Sequence, residues 1–382
     1  MPTSKTIKMQ TILKLTFILF LYVSAQAQSF KGIIINSETQ QPISQITIVS
    51  GDNTFFVTSN DKGEVVLPES IINKKLFIND YEYSYSEKTF TSTQNFTWDL
   101  NPNSETLEEI VIYKNPELVL EEIINNSIKS FSGNIKLETY YRENYIENNQ
   151  IGRFADGIID FYVNSEQGSI QQVVKQSRAQ SYTEINETNE LFMSSPRQVL
   201  SLSMRFSQIR NLIKDKRHEF YIASKKVGDK TIHTCYISPK EKNKNRFQMK
   251  GYFTFDEEKK LILETNIAFD PERKKYNNKT ANVLIGKVTF IDQQFKSKYV
   301  VAENLYYPSY AKRTIDLSSN SKIAKVKNER ANNESYFYVL SIDKATTVPD
   351  VNKTSNYENL YSRGSIYKTE FWNDPEIINL VE

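Results

Sequence analysis

The stretch QPISQITIVSGDNTFFVTSNDKGEVVLPES, residues 41–70, holds short β-prone runs separated by turn-forming residues, with no helical periodicity. Runs rich in Ile, Val, Phe and Thr suit a pleated, half-buried surface. Gly51-Asp52-Asn53 and Asn60-Asp61-Lys62-Gly63 supply the tight turns between them. Gly63 follows an Asn-Asp pair, where a positive φ is expected that side chains with a Cβ resist, and this pins the register of the flanking strands. Almost no residue here is of a type that chemistry favours.

Outward from this stretch the same grammar runs from Phe30 to about Tyr113. FKGIII, KLFIND, FTWDL and EEIVIY join the central runs. Together they predict a small antiparallel sandwich of ~7 strands.

Upstream, residues 1–27 have a basic start (Lys5, Lys8, Lys14), an apolar stretch from Ile12 to Val23, and Ala25-Gln26-Ala27. That order matches a secretory signal peptide cleaved after Ala27. A retained anchor is the alternative, but the apolar run is shorter than the ~20 residues a bilayer span needs. No later stretch reaches membrane-spanning length, so the mature chain is expected to lack a transmembrane segment. The one cysteine, Cys235, lies far from the cleavage region and has no second cysteine to pair with. Expected is an exported protein, periplasmic or associated with the outer membrane, without amino-terminal lipidation.

A chain of 382 residues with 39% hydrophobic and 25% charged residues is a globular mixture long enough for two domains. Its formal charge of +2 becomes −1 once the three signal lysines are removed, so nucleic-acid binding is not expected. The basic run Lys240–Arg246 reads as a solvated loop.

Downstream of a linker at Tyr113–Asn115, NPELVLEEIINNSIKSF predicts a helix. Asn115 can cap it, Pro116 suits its first position, and Leu120, Ile123, Ile124, Ile128 and Phe131 form one buried face. Long tyrosine-rich strands follow, from KLETYYRENYIE at 136–147 to ESYFYVLSID at 334–343, with Gly228-Asp229 and the 256–260 segment DEEKK marking antiparallel hairpins. One helix interrupts them at 195–213, where Val199, Leu202, Phe206, Ile209 and Ile213 form a stripe that packs on the sheet.

These residues carry a resemblance. Gly32, Pro42-Ile43 before QITIV, VTSNDKGEVVLPE, LFINDYEY and WDLNPNSETLEEIVIY resemble, in that order, the carboxypeptidase-regulatory-like (transthyretin-like) β-sandwich domain of exported Bacteroidota proteins. One departure is NDYEY, where that family usually has a glycine before the tyrosine and this chain has Asp80. Residues 115–144 and GYFTFDEEKKLILETNIAF resemble the second region of such proteins, a large curved sheet loosely similar to the half-barrels of lipoprotein-carrier proteins. The resemblance implies a mainly β chain: signal peptide 1–27, sandwich 28–113, and an α+β domain 114–382 with a half-barrel-like antiparallel sheet and packed helices.

A catalytic zinc needs around three protein ligands, and only His218 and His233 exist, in no peptidase motif. The resemblance therefore implies the accessory sandwich without the hydrolase. In IHTCY, His233 and Cys235 would share one strand face ~7 Å apart, which makes Cys235 the best candidate nucleophile, yet no third group is indicated. Asp156 and Asp160 would share a face ~13 Å apart, beyond either glycosidase spacing, and read as residues that keep that face wet. Phosphate loops, nucleophile elbows and dinucleotide fingerprints are absent. No catalytic, cofactor-binding or metal residue is assigned, no cofactor is expected, and the ligand-binding residues are left unassigned.

The 23 Tyr and 22 Phe are the compositional oddity. On a curved sheet they fill a core, line an apolar groove, or form a platform for sugars. The expected function is non-enzymatic binding in the cell envelope, with an apolar or lipid ligand in the second domain or an envelope protein as partner. Its rival is a carbohydrate- or surface-binding protein using exposed Tyr140, Tyr141, Tyr306 and Tyr307. An unrecognised hydrolase built on Cys235 and His233 is the third reading.

Overall fold

Turn residues and β-branched runs form the first unit as expected. The structure is a computed structural model that describes residues 29–52, 55–80, 82–103, 109–147, 150–164, 169–182, 194–227, 230–241, 248–276, 280–283, 286–302, 305–321, 326–344 and 359–365. The export segment 1–27, Asn53, the Gly228-Asp229 turn and 242–246 of the basic run lie outside them. The strands β1 (Ser29–Asn36), β4 (Glu64–Pro68) and β7 (Phe96–Leu100) make one small sheet in the order β4-β1-β7. A facing sheet has the order β3-β2-β5-β6, from β2 (Thr47–Ser50), β3 (Phe56–Thr58), β5 (Lys75–Ile78) and β6 (Ser86–Thr89). The pairs are antiparallel except β1 with β7, which is parallel.

Between these sheets Phe30, Ile34, Ile48, Leu67, Leu76 and Trp98 form a closed core. Trp98 is fully buried and satisfies its indole N–H by donating to Ser86 Oγ at 2.8 Å. Gly63 has φ +74°, and a Cβ there would lie 2.7 Å from the Ile34 carbonyl oxygen, so both conformation and space demand glycine. Asn60 Oδ1 accepts from the Lys62 and Glu64 backbone N–H groups at 2.9 Å each, completing the turn.

The strand expected to end this unit does not belong to it. β8 (Glu109–Val111) pairs with β12 (His218–Val227) at the edge of the larger sheet. Its register, Ile222 opposite Val111, continues a ladder that the sandwich strands do not offer. The chain has therefore already crossed to the second unit before helix α1 (Pro116–Ser130) begins.

The second unit is a curved antiparallel sheet, twelve-stranded among the described residues. Its further strands are β9 (Ile135–Glu147), β10 (Gln150–Asn164), β11 (Ser169–Ser181), β13 (Lys230–Pro239), β14 (Met249–Asp256), β15 (Leu261–Phe269), β16 (Thr280–Val283), β17 (Gly286–Ala302), β18 (Leu305–Ser321) and β19 (Val326–Lys344). The order is β11-β10-β9-β19-β18-β17-β15-β14-β13-β12-β8, with β16 on β17. Most neighbours in this order are consecutive strands joined as hairpins; β9 with β19, β15 with β17 and β12 with β8 are not consecutive in sequence.

Helix α1 starts with Pro116 and buries Leu120, Ile123 and Ile124, as its periodicity requires, although Asn115 makes no side-chain cap bond. The stripe at 195–213 is not one helix. It forms α2 (Pro196–Arg205) and α3 (Ser207–Lys214), broken at Phe206, whose φ is +50°. Left-handed backbone is costly for a residue with a Cβ. Here it turns the Phe206 ring into a stack with Phe131 at 5.6 Å and a tilted contact with Tyr299 at 5.3 Å. α1 packs on β15, α2 on β18, β19 and β11, and α3 on β12 and β14.

Both faces of the central strands are covered. Tyr306 stacks on Phe131, at the end of α1, at 4.7 Å, while its neighbour Tyr307 meets Phe56 of the sandwich edge to face at 6.1 Å. Successive strand residues point to opposite faces, so the helices occupy one side of the sheet and the sandwich docks on the other. No helix among the described residues is long and apolar enough to cross a membrane.

Candidate functional site

The concavity expected beneath the helices is filled. Phe131, Phe206, Tyr299 and Tyr306 pack there with Leu120, Ile124, Phe253 and Phe255 in one apolar cluster. A cleft opens instead on the opposite face, where the sandwich leans on the sheet, with a volume of about 410 Å³. Its sandwich wall includes Val49, Phe77, Asn79, Asp80, Tyr85 and Asn103. Its sheet wall includes Ile232, Asp256, Leu263, Lys298, Val300 and Ser309.

Lys298, toward the end of β17, is the polar centre of this cleft. Its Nζ lies 3.2 Å from Glu82, 3.8 Å from Asp80 and 3.9 Å from Glu264. Strand pairing puts Glu264 of β15 directly opposite Lys298, and the turn after β5 brings in Asp80 and Glu82. Burial works against the ammonium, but the charges of Asp80, Glu82 and Glu264 outweigh it and raise the Lys298 pKa. Burial pushes the Asp80 carboxyl upward, with Lys298 opposing it. Tyr83 shifts the same way, first by burial and then by the Glu82 and Asp80 charges.

Asp80 is the residue that departs from the glycine of the family resemblance. In this chain it supplies one carboxylate of the bridge between the two units, a role that the sequence did not signal. Lys298 and Glu264 carried no signal either, being one lysine and one glutamate in strands rich in both.

The other candidate residues lie outside the cleft, and among them Tyr140 meets Asp156. Tyr140, Tyr141, Tyr306 and Tyr307 are 1%, 0%, 3% and 1% exposed, so they form no surface platform. Two-sided coverage of the sheet is the reason, since adjacent tyrosines go one to each buried face. Cys235 is fully buried in the helix-side cluster, and burial pushes its thiol pKa up. His233, two residues away, directs Nε2 at Glu257 at 2.9 Å and stacks on Phe255, so it is committed to the strand end. His218 instead places Nε2 2.9 Å from the Met249 carbonyl oxygen.

Asp156 does not keep its face wet. It is completely buried, accepting from Arg178 at 2.7 and 2.9 Å and from the Tyr140 hydroxyl at 3.0 Å. Asp160 is buried too, facing the charges of Lys175 and Lys136 instead. The sandwich explains this, because its β3–β4 turn reaches the same face, where Asp61 accepts from the Tyr338 hydroxyl at 2.5 Å. Asp156 thus serves an ion pair with Arg178, whereas Asp160 Oδ1 is buried without a hydrogen-bond partner. Among the described residues no group of three or more His, Cys, Asp or Glu side chains is arranged to hold a metal ion.

No family model matches the chain, and no curated protein matches it. Among solved structures it is similar over 63% of its length to lipovitellin, in a structure of lipid–protein interactions, at 9% identity and a TM-score of 0.24; this covers 28% of lipovitellin. A DUF1329 family protein from Desulfovibrio piger matches 62% of this chain and 96% of its own, at 8% identity and a TM-score of 0.28. A LolA superfamily protein from Nitrosomonas europaea matches 62% and 98%, at 8% identity and a TM-score of 0.22.

Proposed function

We propose that the chain is an exported, non-enzymatic binding protein of the cell envelope, and that its ligand sits between the sandwich and the large sheet. The observation that carries this reading is the cleft itself. Its volume of about 410 Å³ lies within the usual range for small-molecule pockets, and its walls combine apolar side chains with a few fixed polar groups. The ionisable groups at its centre are engaged with one another, and the thiol and imidazoles lie outside its lining. Such a site suits holding a ligand.

The sandwich then acts as a positioning module that supplies one wall. Its resemblance to carboxypeptidase-regulatory-like domains supports that accessory role, and the amino-terminal segment supports export to the periplasmic side. The sheet supplies the other wall, so ligand and domain docking are coupled through Lys298.

Native mass spectrometry of protein exported from a bacterial host and extracted mildly tests this reading. Expected is a co-purified non-protein mass that leaves on denaturation, together with an amino terminus at Gln28. Repeated recovery of empty protein that takes up nothing from envelope extracts would sink it.

A further inference from the structure

The chemistry of the cleft narrows its occupant, and this step rests on the cleft being the ligand seat. Val49 and Phe77 stand opposite each other across β2 and β5, and Val300 of the sheet packs against the same cluster. Tyr85 stacks on Phe77 at 6.3 Å and is 59% exposed, so the apolar floor ends in an accessible aromatic ring. Beside it lie Asn79, Asp80, Ser84, Asn103 and Lys298.

Asp80, Glu82 and Glu264 stand within 3.9 Å of the Lys298 ammonium at the polar end, Glu264 also pairs with Lys296 at 3.5 Å, and Asp256 and Lys259 line the cleft, so four carboxylates face three ammonium groups. An anionic head group would add to that negative surplus, and a cationic one would have to compete with a buried lysine for its partners. A neutral polyhydroxylated head incurs neither cost. It donates to carboxylate and amide oxygens, accepts from amide N–H groups, and lays its C–H face on an aromatic ring. The apolar floor is left for an alkyl or acyl chain.

We propose that the cleft binds a sugar-headed amphiphile, with its chain along Val49, Phe77 and Val300 and its neutral head between Tyr85 and the polar groups around Lys298. The lipid and carbohydrate readings of the sequence become two ends of one ligand.

Monomeric octyl glucoside, titrated into the full mature chain by calorimetry and into a Tyr85→Trp variant by fluorescence, tests the proposal against octyl sulfate, octylammonium and glucose. Expected is saturable binding of octyl glucoside at least about tenfold tighter than of the other three, weakened about tenfold by Tyr85→Ala and retained by Tyr85→Phe. Equal or tighter binding of octyl sulfate or octylammonium at a site sensitive to Tyr85→Ala overturns the neutral sugar head and leaves the cleft as a seat. Binding indifferent to Tyr85→Ala, or no saturable response to any probe, overturns the cleft as the seat as well.

Discussion

Lys298 and Tyr299 are consecutive on β17 and serve opposite halves of the molecule. Lys298 Nζ reaches Glu82 of the sandwich at 3.2 Å, whereas the Tyr299 hydroxyl donates to the Ser203 carbonyl of α2 at 2.7 Å. One step along a strand thus joins the ion pair that docks the sandwich to the hydrogen bond that docks a helix. The sheet is a partition with two covered faces, and the cleft exists only where the sandwich side is incompletely closed.

Replacing Lys298 by Met leaves Asp80 without its cation and Glu264 with Lys296, 3.5 Å away. Removing one partner of a buried ion cluster costs about 3 kcal/mol, reduced here because Glu82 is half exposed and can turn to water. Urea denaturation should show a loss of about 2–3 kcal/mol at neutral pH. The loss should shrink under mildly acidic conditions, where burial helps Asp80 take up a proton. A change below about 0.5 kcal/mol would mean that the bridge does not hold the units together.

Much of this architecture was legible, and the parts that were not share a cause. Alternating apolar runs and Asn-Asp-Lys-Gly chemistry located most strands and the Gly63 turn, because those signals are local. β6, Ser-Glu-Lys-Thr, contains no apolar residue and becomes a strand only because Lys75, Leu76, Phe77 and Ile78 stand opposite it. The polar start of β19, Glu329 to Asn333, is likewise extended by its pairing with β18 and β9. For the paired tyrosines at 140–141 and 306–307, core filling and a surface platform were both open, because strand spacing does not say whether one face of the sheet is covered or two. The partner of Lys298 is 216 residues away, a distance that no spacing rule spans.

Phe206 provides a direct test of backbone strain against packing. Truncating its buried ring removes the stack with Phe131 and the contact with Tyr299, so Phe206→Ala should cost about 3–4 kcal/mol. Phe206→Gly loses the same ring but relieves the left-handed conformation, and should be about 1 kcal/mol more stable than the alanine variant. Thermal melts of the two proteins decide it. An alanine variant at least as stable as the glycine one would remove the strain.

Cys235 should be chemically silent in the folded protein. Its thiol is fully buried and shifted away from the thiolate, the form that reacts with alkylating agents. Iodoacetamide at pH 8 should label the native chain far more slowly than the same chain in concentrated urea. Rapid native labelling would revive Cys235 as a nucleophile.

Glu143 makes its own contribution to stability depend on pH. Completely buried, it accepts the Tyr361 backbone N–H at 2.7 Å and the Tyr141 hydroxyl at 3.0 Å, holding the segment 359–363 against β9. Burial is the largest influence on its carboxyl and raises it from 4.5 to about 7, against those hydrogen bonds and the Arg153 charge. A carboxyl with a raised folded pKa is more readily protonated in the folded chain than in the unfolded one. Its contribution is therefore fully present below pH 4.5 and falls as pH rises toward 7, by up to about 3 kcal/mol. Glu143→Gln keeps the shape and removes the titration, so its stability, measured by urea denaturation from pH 4.5 to 8, should lack that decline. Hydrogen exchange at Tyr361 should show the same contrast, with protection falling across this range in the parent and staying level in the variant. Parallel curves for the two proteins would mean that the carboxyl is not what couples the segment to pH.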